Sequence, residues 1–316
     1  LFNALTGLRQ RVGNFAGVTV ERVEGSYTDA DGRRVSVLDL PGAYSLDPHT
    51  PDEAIALDVL AGRADVPVPD VVVIVADALH LERNLYLVSQ LLELGLPTVV
   101  ALNQVDAATK RGLQLDVVEL IHELGVTVVP TVATKGEGID RLRQAIARAP
   151  ELPAPARRMP VPAVVDDALR PVAQALIDDG VPRAAAGLEA LLHLTAPGAD
   201  HGPAVHAAVV DARTQLLDAG LNPESLEAEL RYGWITGVMH RTVKDPDGHE
   251  RTTSDRVDRL LLHKVWGMLI FLALMGLVFQ AVFFWAAPLQ DAIESALAWS
   301  GMQVGGLMGE GDLRSL

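Results

Sequence analysis

Short stretches of this chain carry residue types that could do chemistry together. Asp39-Leu40-Pro41-Gly42 closes an apolar, strand-like run. A carboxylate there can hold magnesium, usually through water. A glycine three residues on lets its N–H approach a terminal phosphate with no Cβ in the way. Asn103-Gln104-Val105-Asp106 follows a later apolar run. Its carboxylate can accept two hydrogen bonds from the N1–H and 2-amino group of guanine, donors that adenine lacks. Gly17-Val18-Thr19-Val20-Glu21 overlaps a Gly-containing stretch that begins at Val12. A threonine such as Thr19, ligating magnesium only while a γ-phosphate is present, would report the state of a nucleotide.

Ala133-Thr134-Lys135, before Gly136, resembles the fifth motif of GTP-hydrolysing domains, in which the N–H of Ala133 would reach guanine O6. Each signal has an ordinary alternative: an Asp-x-Pro-Gly turn, a polar loop after a strand, or a strand threonine. Their order argues for the functional reading. Threonine, DxxG, NxxD and a Thr-Lys-Gly turn succeed one another at expected strand ends, where open parallel sheets bind ligands. Gln104 stands where the base motif usually has lysine. Ala43-Tyr44 stand where many small GTPases place a water-orienting glutamine, which predicts slow hydrolysis with water positioned by the backbone. No GxxxxGK[ST] occurs in the chain. Without that cradle phosphate binding is incomplete. The opening LFNALTG reads as the helix after such a loop, so the motif is expected just before Leu1.

Such residues can act together only if regular elements bring them to one place. Strands are predicted over Val18–Glu24, Val35–Asp39, Val71–Ala76, Thr98–Asn103 and Val126–Thr131, the first two as a hairpin around Asp29-Ala30-Asp31-Gly32. The later runs are continuously apolar, as parallel strands buried on both faces should be. Leu81–Leu94 carries a leucine stripe of helical period. This is a doubly wound α/β domain over residues 1–150. Pro-rich Glu151–Pro162 is a linker. Residues 163–255 form a helical domain, with Asn222-Pro223-Glu224 as cap, first position and first-turn acid of its last helix. Residues 256–316 begin a membrane domain. Val265–Ala287 would span ~34 Å as a helix, enough for a bilayer core. Arg256, Arg259, His263 and Lys264 before it place residues 1–260 in the cytoplasm by the positive-inside rule.

Composition narrows the classes. The net charge of −15 argues against a nucleic-acid partner. The absence of cysteine excludes disulfides, thiolate metal sites and cysteine nucleophiles. His201 and His206 are off the spacing that pairs ligands on one helical face. Asp52 and Glu53 read as first-turn helix charges rather than a metal pair.

The stretches LFNALTGLRQRVGNFAGVTVE, VLDLPGAYSL, VVVIVADALHLERNLYLVSQLLELGLPTVVALNQVD and VPTVATKGEGI together resemble the bacterial ferrous iron transport protein B family. RYGWI and SDRVDRLLLHKVWGMLIFL fit its order. The resemblance implies a P-loop GTPase-type domain that binds GTP and GDP with Mg2+, a helical domain that stabilises the GDP state, and a polytopic domain carrying Fe2+ across the inner membrane. It implies Thr19 and Asp39 on magnesium, Gly17–Glu21 as a switch, Asp39–Gly42 at the γ-phosphate, Asn103 and Asp106 on guanine, and Ala133–Lys135 as the last base loop. K+ is a further cofactor candidate, through an asparagine of the missing P-loop. Implied partners are the lipid bilayer, further copies of the chain and small cytoplasmic accessory proteins. A regulatory module that exchanges nucleotide with little turnover is the other reading.

Overall fold

A short turn sets the first sheet. Asp29 Oδ1 accepts the N–H groups of Asp31 (3.0 Å) and Arg33 (2.7 Å), and Gly32 takes φ +78°. That closes β1 (Val23–Thr28) onto β2 (Arg34–Asp39) as an antiparallel hairpin with Val23 opposite Asp39. The computed structural model describes residues 1–8, 23–47, 50–64, 66–155, 159–195, 202–244, 261–281, 288 and 292–300. The hairpin forms around the expected turn, but its first strand ends at Thr28 rather than Glu24. The expected strand residues 18–22 lie outside the described residues.

The continuously apolar runs do become parallel strands. β3 (Val72–Asp77), β4 (Thr98–Asn103) and, later in the chain, β6 (Thr127–Thr131) form a sheet in the order β3-β4-β6. Alternation along β4 divides the core in two. Val100 and Leu102 join one apolar cluster, while Val99 and Ala101 join the other. The first cluster is covered by α3 (Leu81–Glu93) and by α5 (Val117–Leu124). The second is covered by α1 (Phe2–Thr6) and α6 (Ile139–Arg148). Leu85, Val88 and Leu92 of α3 are buried. Each such side chain contributes about 1.5–3 kcal/mol through area removed from water. Helices on both sheet faces make this the α/β arrangement the pattern calls for. α2 (Pro51–Leu60) starts at a capping box in which Thr50 and Glu53 satisfy each other's backbone N–H groups, so Glu53 is a first-turn charge as read. α4 (Val105–Lys110) lies directly after β4.

Past the proline-rich stretch come α7 (Ala163–Asp178), α8 (Arg183–Thr195), α9 (Pro203–Asp218) and α10 (Pro223–Thr242). Asn222 caps α10 by accepting the Glu224 N–H at 3.1 Å, with Pro223 in the first turn. One departure follows α10. The helical region ends in a two-residue strand, β7 (Val243–Lys244), paired antiparallel with β5 (Gln114–Leu115). Two residues are too few to show a period, so neither strand is visible in the sequence pattern. α10 also packs on α3, α5 and α8. Residues Leu1–Asp247 accordingly form one compact unit, and Gly248–Leu316 a second.

In the second unit α11 (Trp266–Gln280) has 15 residues, none buried. Among the described residues no helix is long and apolar enough to cross a membrane. Residues 282–287 of the expected 265–287 span lie outside the described residues.

Candidate functional site

The parallel sheet aligns three polar residues at its carboxyl edge. Asp77 is in register with Asn103, and Asn103 with Thr131. Asn103 is the last residue of β4 and Asp106 lies in the first turn of α4. The chain makes that strand-to-helix turn through Gln104, whose φ of +62° is the single positive value at a non-glycine among the described residues. Left-handed backbone costs an L-residue roughly 1–2 kcal/mol. Here it sits inside the motif that the sequence assigns to base reading.

Asn103 fixes the neighbouring loop. Its Oδ1 accepts the Ala133 N–H at 3.0 Å and the Thr131 hydroxyl at 3.3 Å. Two donors on one oxygen settle the orientation of the amide and turn its Nδ2 group over to donation, which suits a base nitrogen. The fifth-motif resemblance implies the Ala133 N–H at guanine O6; in the structure that N–H donates to Asn103 Oδ1, which ties the β6–α6 loop to the strand end. The loop then turns with Lys135 N–H on Val132 O (2.9 Å) and Gly136 at φ +73°. Gly138 ends it at φ +80°, where a Cβ would come within 2.3 Å of the Pro130 carbonyl oxygen. Only glycine fits.

Asp106 and Lys135 meet across the two loops. The Lys135 ammonium lies 2.6 Å from Asp106 Oδ2, while Oδ1 accepts the Ala107 N–H at 3.0 Å. The bond from Lys135 holds the Asp106 carboxyl below the ordinary aspartate value, and Asp106 in turn raises the lysine. Val105 packs partly buried against the main core, and Thr134 is exposed.

The Asp39–Gly42 turn lies at the end of the hairpin. Asp39 keeps surface open to solvent, yet desolvation by the chain around its carboxyl raises its pKa. Leu40 and Ala43 pack against the core, and Tyr44 is 59% exposed with the Arg83 guanidinium 3.8 Å from its ring centre. Gly17, Val18, Thr19, Val20 and Glu21 lie outside the described residues, as does His201. His206 is exposed on α9.

Composition and spacing did not reveal a buried polar network behind the turn. Gln90, fully buried on α3, accepts the Leu46 N–H (2.7 Å) and the Ser45 hydroxyl (3.2 Å) through Oε1. Its Nε2 donates to Glu227 Oε1 on α10. Arg231, with no exposed surface, bonds Glu227 and Ser89 and lies 2.8 Å from Glu93. Burial alone would lower its guanidinium, but Glu93 and Glu227 outweigh that and hold it up. Tyr86 donates to Glu227 as well. A helical period marks positions 86, 89, 90 and 93 as neighbours but cannot say that a distant arginine completes them.

The family model described as ferrous iron transport protein B matches residues 1–146. The mGMPPNP-bound NFeoB structure from S. thermophilus is 31% identical with a TM-score of 0.65, covering 79% of this chain and 93% of that one. The chain belongs to the ferrous iron transport protein B family. The Fe(2+) transporter FeoB of Escherichia coli K12 is 37% identical over 300 residues, 88% of this chain and 36% of its own length. A Fe(2+) transport protein A/Fe(2+) transporter FeoB fusion protein of Porphyromonas gingivalis is 31% identical over 333 residues, 100% of this chain and 39% of its own length. The chain thus spans less than half the length of these curated relatives.

Proposed function

We propose that this chain is the GTP-binding and GTP-hydrolysing cytoplasmic part of a ferrous iron transporter, gating Fe2+ passage across the bacterial inner membrane. The observation that carries the proposal is the meeting of Asn103, Asp106 and the Ala133–Lys135 loop at one end of the parallel sheet. Asn103 Nδ2 donates to the base and Asp106 accepts from its N1–H and 2-amino group. Adenine offers no such donor pair, so it leaves a carboxylate unmatched.

Magnesium fits the turn at Asp39. Its carboxyl is desolvated and no side-chain cation contributes to its shift among the described residues, so a hard cation would relieve it. When bound, magnesium neutralises charge on the phosphates. Asp39 and Thr19 would hold it, and the Gly42 N–H would be available to the γ-phosphate.

A second reading has its own support. Ala43 packs inward and Tyr44 has its ring under Arg83, and neither is the glutamine that orients water in many small GTPases. That suits a regulatory module which exchanges nucleotide and turns over little. Residues 265–287 span the bilayer in either reading. The fusion relative supports a transport protein A as an accessory partner, and self-association follows the family reading.

Calorimetry of the full-length protein tests the site: GTP and GDP bind in preference to ATP, and Asp106→Asn abolishes that preference. Equal affinities for GTP and ATP would overturn the proposal. Single-turnover hydrolysis separates the two readings.

A further inference from the structure

Lys135 does more in this structure than line a loop. Its backbone N–H is fixed on Val132 O, and Gly136 and Gly138 fix the loop around it. The ammonium is therefore delivered to Asp106 Oδ2 by the turn itself, at 2.6 Å. A guanine edge draws on both carboxylate oxygens, one for N1–H and one for the 2-amino group, and Lys135 already holds one of the two lone pairs of Oδ2.

We propose that Lys135 is an internal competitor for guanine, occupying the base-reading carboxylate and so setting nucleotide affinity through the rate of association. The inference rests on Asp106 being the guanine-reading residue. Glu137, two residues past Lys135, also favours the charged lysine. Lys110 on α4 acts on Asp106 as well, so the carboxylate keeps a positive neighbour when Lys135 leaves. The ion pair is solvent-accessible, with the lysine 49% and the aspartate 28% exposed at the side chain. Exposed pairs are weak and screened by salt. The competitor is thus a modest tax on the binding-competent population rather than a lock.

The experiment uses the full-length protein and a fluorescent GDP analogue, with stopped-flow rates at low and high salt. Lys135→Met keeps the aliphatic stem and removes the charge. It is expected to tighten binding about two- to five-fold at low salt. The gain should lie in the association rate, with dissociation unchanged and the difference gone at high salt. Lys135→Arg should bind as the parent does. A Lys135→Met protein with unchanged association, or with faster dissociation, overturns the competitor while leaving the guanine site standing. Guanine preference that survives Asp106→Asn instead removes the site on which the competitor depends. Lys135→Gln, also uncharged, must reproduce the methionine result.

Discussion

Gln90 Nε2 donates to Glu227 Oε1 at 3.1 Å, which ties α3 to α10 inside the protein. The same Gln90 holds Leu46, four residues past Gly42, so the chain just after the Asp39–Gly42 turn and the last helix of the helical region share one buried side chain. Arg231 supplies the positive charge that lets Glu93 and Glu227 stay buried together. Removing it leaves two carboxylates without their cation. Arg231→Met should therefore lose about 3–5 kcal/mol of stability, and Gln90→Leu about 1–3 kcal/mol. Urea unfolding followed by circular dichroism measures both. An Arg231→Met midpoint equal to the parent's would show that the network holds nothing together.

Gly138 is the second place where the fold leaves no choice. With φ at +80° and the Pro130 oxygen 2.3 Å from any added Cβ, Gly138→Ala combines a strained backbone with a clash. The expected loss is about 1–3 kcal/mol. The Ala133–Lys135 loop should loosen with it, so guanine affinity falls more than stability alone explains. Gly136→Ala is the comparison, since no atom lies within 4 Å of a Cβ there. It should cost less on both measures. Calorimetry and thermal melts on the pair decide the point.

These two cases show what the residues disclose and what they withhold. Thr98–Asn103 was legible to the residue, because a buried parallel strand is an unbroken apolar run with polar residues at its end. The Asp29–Gly32 turn and the Asn222 cap were equally plain, since their chemistry is local. Gln90 was not. It occupies a helical position where a polar side chain ordinarily meets water, and only the packing of α10, more than a hundred residues later, buries it. Likewise the Ala133 N–H was assigned from motif position alone, and the competing acceptor on Asn103 becomes visible only in three dimensions. The pairing of β5 with β7 escaped for the same reason.

Asp39 carries a pH signature. Its folded pKa is raised by desolvation above the ordinary aspartate value. A raised carboxyl means that the folded state binds more protons than the unfolded state between the two values, so this group's contribution to stability improves as pH falls through the folded pKa. Asp39→Asn should accordingly be as stable as the parent at neutral pH or slightly more so. The gap should close on acidification, once both side chains are neutral. Magnesium-dependent nucleotide binding runs the other way, weakening on acidification at a higher pH than an ordinary aspartate would set, because the proton and the cation compete for one carboxylate. Melting curves and magnesium titrations across the acidic range test both slopes. A stability gap that widens as pH falls contradicts the assignment.

Gln104 offers a further test, because the strained backbone falls inside the proposed base-reading motif. Its φ of +62° costs a glutamine roughly 1–2 kcal/mol, whereas glycine adopts that backbone freely and loses about 0.5–1 kcal/mol of chain entropy on folding. Gln104→Gly should then leave stability unchanged or raise it by up to about 1 kcal/mol. Asn103 and Asp106 keep their places if the backbone, rather than the glutamine side chain, sets the turn. Guanine affinity should thus stay within about two-fold of the parent, well under the tenfold that 1.4 kcal/mol represents. A large loss of GDP binding without a loss of stability would assign the glutamine side chain itself to the base, in the place that lysine usually takes in this motif.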